Sequence, residues 1–202
     1  MRPILVTGGT GQLARTLEAM AGDCPMRRVG RPEFDFDHPD GIAAVIDGLA
    51  PSLVVNTAAY TAVDAAEAAP DAARRANAEG PGILAECCAQ AGIPIIHIST
   101  DYVFDGDKGA PYVETDAPNP QGVYGATKLD GERAVLAACP QAIVLRTSWV
   151  YAASGKNFVL TMLNAATRTD RLRVVADQIG CPTATQDLSR AILAISDRIA
   201  EG

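Results

Sequence analysis

No apolar run in this sequence approaches the length needed to cross a bilayer, and no pair of cysteines is spaced as C-x-x-C. The opening MRPILVTGG runs straight into a strand and a glycine turn, with no room for a charged and apolar secretory leader. The five cysteines, Cys24, Cys87, Cys88, Cys139 and Cys181, are odd in number and read as reduced, buried small hydrophobes. These absences exclude a membrane span and a disulfide framework, and the expectation is a cytoplasmic protein. Basic charge is also short: the formal net charge is −7, which argues against nonspecific nucleic-acid binding, where basic surface must displace counterions. Only two histidines occur, His38 and His97, without a partner pattern for a metal or a triad. His97 lies inside an apolar run and reads as a satisfied core residue. No internal repeat or low-complexity linker interrupts the chain beyond the Ala-rich stretch 70–91.

What is present is an alternation of short β-branched runs with Ala-rich amphipathic stretches, over 202 residues, enough for one large domain with its own core. Strands are predicted at 3–7, 26–29, 53–56, 94–98 and 142–146, with helices from Gly11, from about Pro39, from after Asn56 to Gly92, and after the loop that follows the fourth strand. The pattern predicts an α/β fold, a doubly wound parallel sheet of Rossmann type covered on both faces. After Arg146 the rhythm changes to an irregular 148–156, a helix to about Thr169, a strand at 172–176, a loop and a last helix from Gln186. The expected division is a nucleotide-binding domain at 1–147 and a small substrate-binding region at 148–202 that includes a returning helix.

The first strand ends in Thr7-Gly8-Gly9-Thr10-Gly11-Gln12-Leu13-Ala14. Gly8 and Gly11 in the turn, with Ala14 in the place of a third small residue, let a pyrophosphate approach backbone N–H groups at a helix N-terminus, where the dipole favours negative charge. A glycine turn alone can merely join a strand to a helix. Its position after the first strand and at the head of the first helix is the context that a dinucleotide site requires. An NAD site places an acid after the second strand, whereas this chain has Arg27, Arg28, Gly30 and Arg31 there, which favours the 2′-phosphate of NADP(H). Solvated arginines, with Asp35 or Asp37 on the ribose, are the alternative, so NADH stays open beside NADPH.

The fourth strand ends in Ser99-Thr100-Asp101-Tyr102, at the sheet edge where ligands bind in this architecture. Tyr124-Gly125-Ala126-Thr127-Lys128 then opens a helix, and the i, i+4 spacing puts tyrosine and lysine on one face. An ammonium beside the phenol favours phenolate, so the tyrosine can give a proton to a carbonyl undergoing reduction and recover it. Thr100 can polarise the same carbonyl oxygen. A lone Tyr-x-x-x-Lys is usually a surface pair. Joined to the glycine turn and the hydroxyl-rich strand end, it points to hydride transfer from a nicotinamide cofactor.

These residues resemble the extended short-chain dehydrogenases and, within them, the dTDP-4-dehydrorhamnose reductases. The match runs in order through 7–13, 56–64 with Glu67, Asn77, 99–106, 123–128 with Gly131-Glu132, 146–151, Asn157-Phe158, Asp177-Gln178 and Pro182-Thr183. The resemblance implies that Gly11, Gln12, Leu13, Arg31, Asp35, Phe36, Ala59, Tyr60 and Thr61 line the cofactor, together with Gly8 and Thr10 of the turn, Ile98, Tyr124 and Lys128. It implies a catalytic trio of Thr100, Tyr124 and Lys128, with Thr100, Asp101 and Trp149 at the sugar nucleotide. The implied reaction is NADPH-dependent reduction of the 4-keto group of dTDP-4-dehydro-L-rhamnose to dTDP-L-rhamnose. A homodimer is left open.

The sequence departs from the family at two places. Relatives carry a further C-terminal segment that completes the substrate region, which this sequence does not contain, so that region is expected to be incomplete. Some relatives carry a glutamate in the first helix that serves a magnesium-linked dimer, where this chain reads Arg15-Thr16-Leu17, and no metal is expected. Two other functions compete: a nucleotide-sugar epimerase or dehydratase, disfavoured by Tyr102 where a dehydratase has glutamate, and a catalytically silent NADP(H)-binding regulatory protein. Trp149 reads equally as a core aromatic on physical grounds. Asp64 and Glu67 read as helix-start residues, and the arginines of 168–173 as a solvated face, with contact to a substrate diphosphate as the alternative.

Overall fold

The computed structural model describes residues 2–201. Its centre is a five-stranded, all-parallel sheet made of β1 (Ile4–Thr7), β2 (Met26–Val29), β3 (Leu53–Asn56), β4 (Ile95–Thr100) and β5 (Ala142–Thr147), in the order β2-β1-β3-β4-β5. Every residue of β1 and β3 is buried, as uniform apolar runs require when both faces of a sheet are covered. One face packs on α2 (Ile42–Leu49) and α5 (Gly80–Gln90), joining Leu5, Val54 and Ile95 to Ile46, Leu84, Cys88, Phe34 and Phe36. The other packs on α1 (Gln12–Met20) and the final helix, joining Val6, Val55 and Ile96 to Leu13, Leu17, Leu188 and Ile192. The two-faced core is the doubly wound arrangement that the strand–helix alternation predicts.

Chain order fixes where ligands go. β1 connects to β2 on one side, while β3 lies on the other, so the crevice at the carboxyl ends of β1 and β3 is a topological switch point. Between β3 and β4 the helical stretch is segmented into α3 (Val63–Ala68), α4 (Pro70–Arg74), a π-turn at Arg75–Glu79, and α5. α6 (Val123–Ala138) follows the long loop after β4 and packs on α5 and β4.

Beyond β5 lies a two-stranded parallel pair, β6 (Val150–Tyr151) with β7 (Thr183–Ala184), and two helices, α7 (Phe158–Ala166) and α8 (Thr185–Glu201). α8 returns to pack beside α1. The expected strand at 172–176 does not form: the segment pairs with nothing, and Leu172, Val174 and Val175 are exposed. Its β-branched composition fits a pleated surface, but propensity without a neighbouring strand leaves the backbone to solvent. α7 likewise stops at Ala166, short of the predicted Thr169. Among the described residues no helix is long and apolar enough to cross a membrane.

Candidate active site

The glycine turn stands at the switch point. Gly8 has φ +72°, and a Cβ there would lie 2.9 Å from both Ala58 N and Thr57 Oγ1, so the turn and the chain leaving β3 touch through glycine alone. The Gly11 N–H donates to Gly8 O at 2.7 Å, closing the turn. No side chain caps α1, and its first turn carries no acid, which leaves the positive end of the helix dipole for an incoming anion. Gln12 is spanned by two contacts: its Nε2 donates to Val150 O at 2.8 Å, and Asn157 Nδ2 donates to its Oε1 at 3.4 Å. The start of α1 is thereby tied to the region beyond β5. Leu13 and Phe36 are buried, one in each core.

Arg31 sits just past β2, its side chain 67% exposed, with Nε 2.9 Å from Asp35 Oδ1 and Nη2 2.6 Å from Asp37 Oδ2. Arg75 also pairs with Asp37, and that hydrogen bond holds the Asp37 carboxyl below its ordinary range. Both acids are therefore occupied by arginines. Arg27 pairs with Glu33, and Arg28 with Glu18 and the carbonyl of Gly9.

Ala59, Tyr60 and Thr61 follow β3 at the carboxyl edge of the sheet. Buried Asn77, in the π-turn, pins this segment: Tyr60 N–H donates to its Oδ1 at 2.8 Å, and its Nδ2 donates to Tyr60 O at 3.1 Å and Thr127 Oγ1 at 3.2 Å. One amide thus ties the loop after β3 to the helix bearing Tyr124 and Lys128.

At the carboxyl end of β4, Thr100 is buried and caps the turn Asp101–Val103, accepting from Tyr102 N–H at 3.2 Å. Tyr124 stands beside it, its ring edge-on to Tyr102 at 5.5 Å. Burial pushes the Tyr124 phenol above its usual value, and a hydrogen bond with Thr100 opposes that. Burial also raises the Asp101 carboxyl. Lys128 is 2% exposed; its Nζ donates to Ile98 O at 2.7 Å and lies 3.3 Å from His97 Nε2. Desolvation lowers the Lys128 ammonium to about 8, with Glu132 pulling the other way. Glu132 is largely spent on Arg146, which donates to it through Nε at 2.9 Å and Nη2 at 2.6 Å while its guanidinium lies 4.9 Å over Phe104.

The structure thus brings Ile98, Thr100, Tyr124 and Lys128 into one cluster at the carboxyl end of β4, on the same edge of the sheet as the glycine turn after β1. Trp149 follows two residues after Thr147, the β5 partner of Thr100. It is 44% exposed with φ +45°, and a Cβ on Gly180 would lie 2.6 Å from its ring, so the later loop lies across it. Exposure removes the core-aromatic reading. Three residues outside the predicted site support it: Asn77, His97 and Glu67. Glu67 Oε1 accepts from Val123 N–H at 2.7 Å, and so caps the start of α6, a different helix from its own. Asn77 and Glu67 belonged to the resembling blocks, but their partners lie far along the chain and carried no local signal.

The model of the RmlD substrate binding domain matches residues 1–202. A dTDP-4-dehydrorhamnose reductase of Sinorhizobium fredii is 49% identical over 197 residues, which are 97% of this chain and 67% of that protein. Among solved structures, a dTDP-4-dehydrorhamnose reductase of Clostridium acetobutylicum superposes with TM-score 0.93 at 40% identity, over 99% of this chain and 72% of that one. The Bacillus anthracis dTDP-4-dehydrorhamnose reductase in complex with NADP superposes with TM-score 0.94 at 34% identity, over 98% and 71%. The chain spans about two thirds of the length of the curated relatives it matches. By sequence along its whole length and by fold, the chain belongs to the RmlD substrate-binding-domain family, the family of the dTDP-4-dehydrorhamnose reductases.

Proposed function

We propose that this chain performs the NADPH-dependent reduction of the 4-keto group of dTDP-4-dehydro-L-rhamnose, giving dTDP-L-rhamnose. The observation that carries the reading is the convergence of Thr100, Tyr124 and buried Lys128 at the carboxyl end of β4, in the same sheet whose switch point carries an uncapped helix N-terminus. The residues fit a dinucleotide: Gly8, at φ +72° and pressed against the chain leaving β3, shapes a tight turn before α1, and α1 offers N–H groups that no side chain caps. When bound, the nicotinamide supplies the hydride.

Tyr124 gives its phenolic proton to the oxygen of the reacting carbonyl. The Thr100 hydroxyl donates to that oxygen and stabilises the charge developing on it. Lys128, held by Ile98 O, orients the tyrosine and cofactor hydroxyls through its remaining N–H groups. Asp101 and Trp149, at the ends of β4 and β5, contact the sugar nucleotide. Gly8, Thr10, Gly11 and Gln12 hold the pyrophosphate. Arg31 turns from Asp35 and Asp37 to the 2′-phosphate, which favours NADPH over NADH. Residues 1–147 act as the nucleotide domain and 148–202 as the substrate-side region, in a cytoplasmic protein.

The test is NADPH oxidation with enzymatically generated dTDP-4-dehydro-L-rhamnose. Turnover with dTDP-L-rhamnose as product supports the reading; NADPH retained without turnover would replace it with a regulatory, cofactor-binding role.

A further inference from the structure

Residues 171–182 form no helix or strand and are all exposed. Three contacts tie the end of this segment to the residues just after β5. The Ser148 hydroxyl donates to Cys181 O at 2.5 Å, Thr183 N–H donates to Trp149 O at 3.3 Å, and Val150 pairs with Thr183 in the β6–β7 ladder. Beside these ties Gly180 lies on the indole: a Cβ there would be 2.6 Å from Trp149 Cε2, 2.7 Å from Cζ2 and 3.0 Å from Nε1. Carbon atoms pack at about 3.5–4.0 Å, so only a residue without a side chain brings the backbone down on the ring in this way. Gly180 is outside the left-handed region, so its missing Cβ answers to this contact and not to its own backbone. Trp149 does hold a left-handed backbone, at φ +45°, which tryptophan rarely adopts. Such strain persists where the surroundings over-determine it, and here it accompanies a large apolar ring left 44% exposed at the sheet edge.

We infer that Gly180 is a positioning residue for the sugar site: through it the strap 179–182 lies flat on the indole, and that contact sets the angle at which Trp149 meets the nucleotide sugar. The inference deepens the proposed reductase reading and rests on it for its ligand. Trp149 follows two residues after Thr147, which pairs with Thr100 across β4 and β5. Two residues of chain span at most about 7 Å, so the indole stands beside the sugar that carries the reacting carbonyl. A ring fixed at one angle presents a flat apolar surface to the C–H face of a pyranose, and no ordering is then lost on binding. With a side chain at position 180 the strap stays tied at Cys181 and Thr183, so the indole turns aside by about 1 Å. Thr100 and Lys128 are held by other contacts, to Tyr102 N–H and Ile98 O. The effect of a change at Gly180 therefore falls on binding of the nucleotide sugar and not on proton transfer.

Trp149 is the only tryptophan, so its emission reports the contact directly. The full chain, saturated with NADP+, is titrated with dTDP-L-rhamnose, and emission is followed in the parent and in Gly180→Ala. The parent responds; Gly180→Ala has a red-shifted spectrum before ligand and binds roughly three- to tenfold more weakly, the worth of one well-placed aromatic contact. In NADPH oxidation the variant raises KM for the keto-sugar by a like factor and leaves kcat within about twofold. Trp149→Phe lacks the benzo ring that meets Gly180, so adding Gly180→Ala to it changes KM by less than about twofold. An unaltered spectrum and affinity in Gly180→Ala, or an equal penalty in the Trp149→Phe background, would overturn the inference. If Gly180→Ala does not fold, the unaltered chain decides: a nuclear Overhauser effect joins Gly180 Hα to the indole protons, and its absence refutes the contact. A parent with neither turnover nor an emission response to dTDP-L-rhamnose removes the reductase reading and this inference with it. A parent that responds while Gly180→Ala binds as tightly removes this inference alone.

Discussion

Gly131→Ala separates two effects of opposite sign. On an exposed helix the change stabilises by about 1 kcal/mol, because alanine loses less backbone entropy. At Gly131, however, the new Cβ would lie 1.9 Å from Asn77 O and 3.1 Å from its carbonyl carbon. Ordinary contact requires α6 or the π-turn to retreat by about 1.5 Å. Both are backbone, and Asn77 is already committed to Tyr60 and Thr127, so neither yields freely. Overpacking of this kind costs roughly 3 kcal/mol or more, leaving a net loss of about 2–3 kcal/mol. For a chain of this size that is a Tm lower by roughly 5–10 °C. The shift also moves Tyr124 and Lys128 relative to the Tyr60 loop, and misplacement by about 1 Å lowers turnover roughly a hundredfold. Thermal unfolding and NADPH oxidation on the same preparation read both effects. A variant as stable as the parent, or more so, would refute the close-approach argument and leave helix propensity in charge.

Tyr124→Phe keeps the ring against Tyr102 and removes the proton donor. Cofactor affinity measured by fluorescence titration stays within about twofold, and turnover falls by roughly 10²–10⁴. Glu67→Ala removes the acceptor for Val123 N–H and lowers stability in urea by about 0.5–1 kcal/mol, a modest value because the pair is exposed, while Glu67→Gln keeps an oxygen there and loses less. Arg31→Ala raises the KM for NADPH at least several-fold and leaves that for NADH nearly unchanged; equal effects on both would detach Arg31 from the 2′-phosphate. Stability also rises with pH in two windows. Unfolded His97 takes a proton below about 6.5 that the folded ring refuses, so stability falls as pH drops below that value. Unfolded Lys128 keeps its proton up to about 10.5 while the folded amine releases it near 8, so stability climbs between those values. Urea midpoints show it, with the acid slope reduced in His97→Gln.

Much of this was readable because the signals are local. β3 reads directly as a short apolar run between breakers, and Tyr124 with Lys128 reads from one helical turn of spacing. Position along the α/β alternation gave the glycine turn its meaning. The strand expected at 172–176 failed because a strand is defined by its neighbour, which composition does not reveal. Non-local contacts were silent for the same reason. Asn77 reaches Tyr60 and Thr127, Glu67 reaches Val123, and His97 reads as a filled core position until Asn56 and Lys128 are placed on either side of it. The left-handed backbone of Trp149 has no signature in its residue type, since tryptophan rarely adopts it.

Hydride delivery to a sugar carbonyl is read most directly by isotope transfer. NADPH deuterated at nicotinamide C4 is incubated with this chain and dTDP-4-dehydro-L-rhamnose, and the product is read by mass and NMR. The expected product is dTDP-L-rhamnose carrying one deuterium at sugar C4, with none formed by Tyr124→Phe over the same interval. NADPH that binds but keeps its deuterium, or label found at any other carbon, would contradict it.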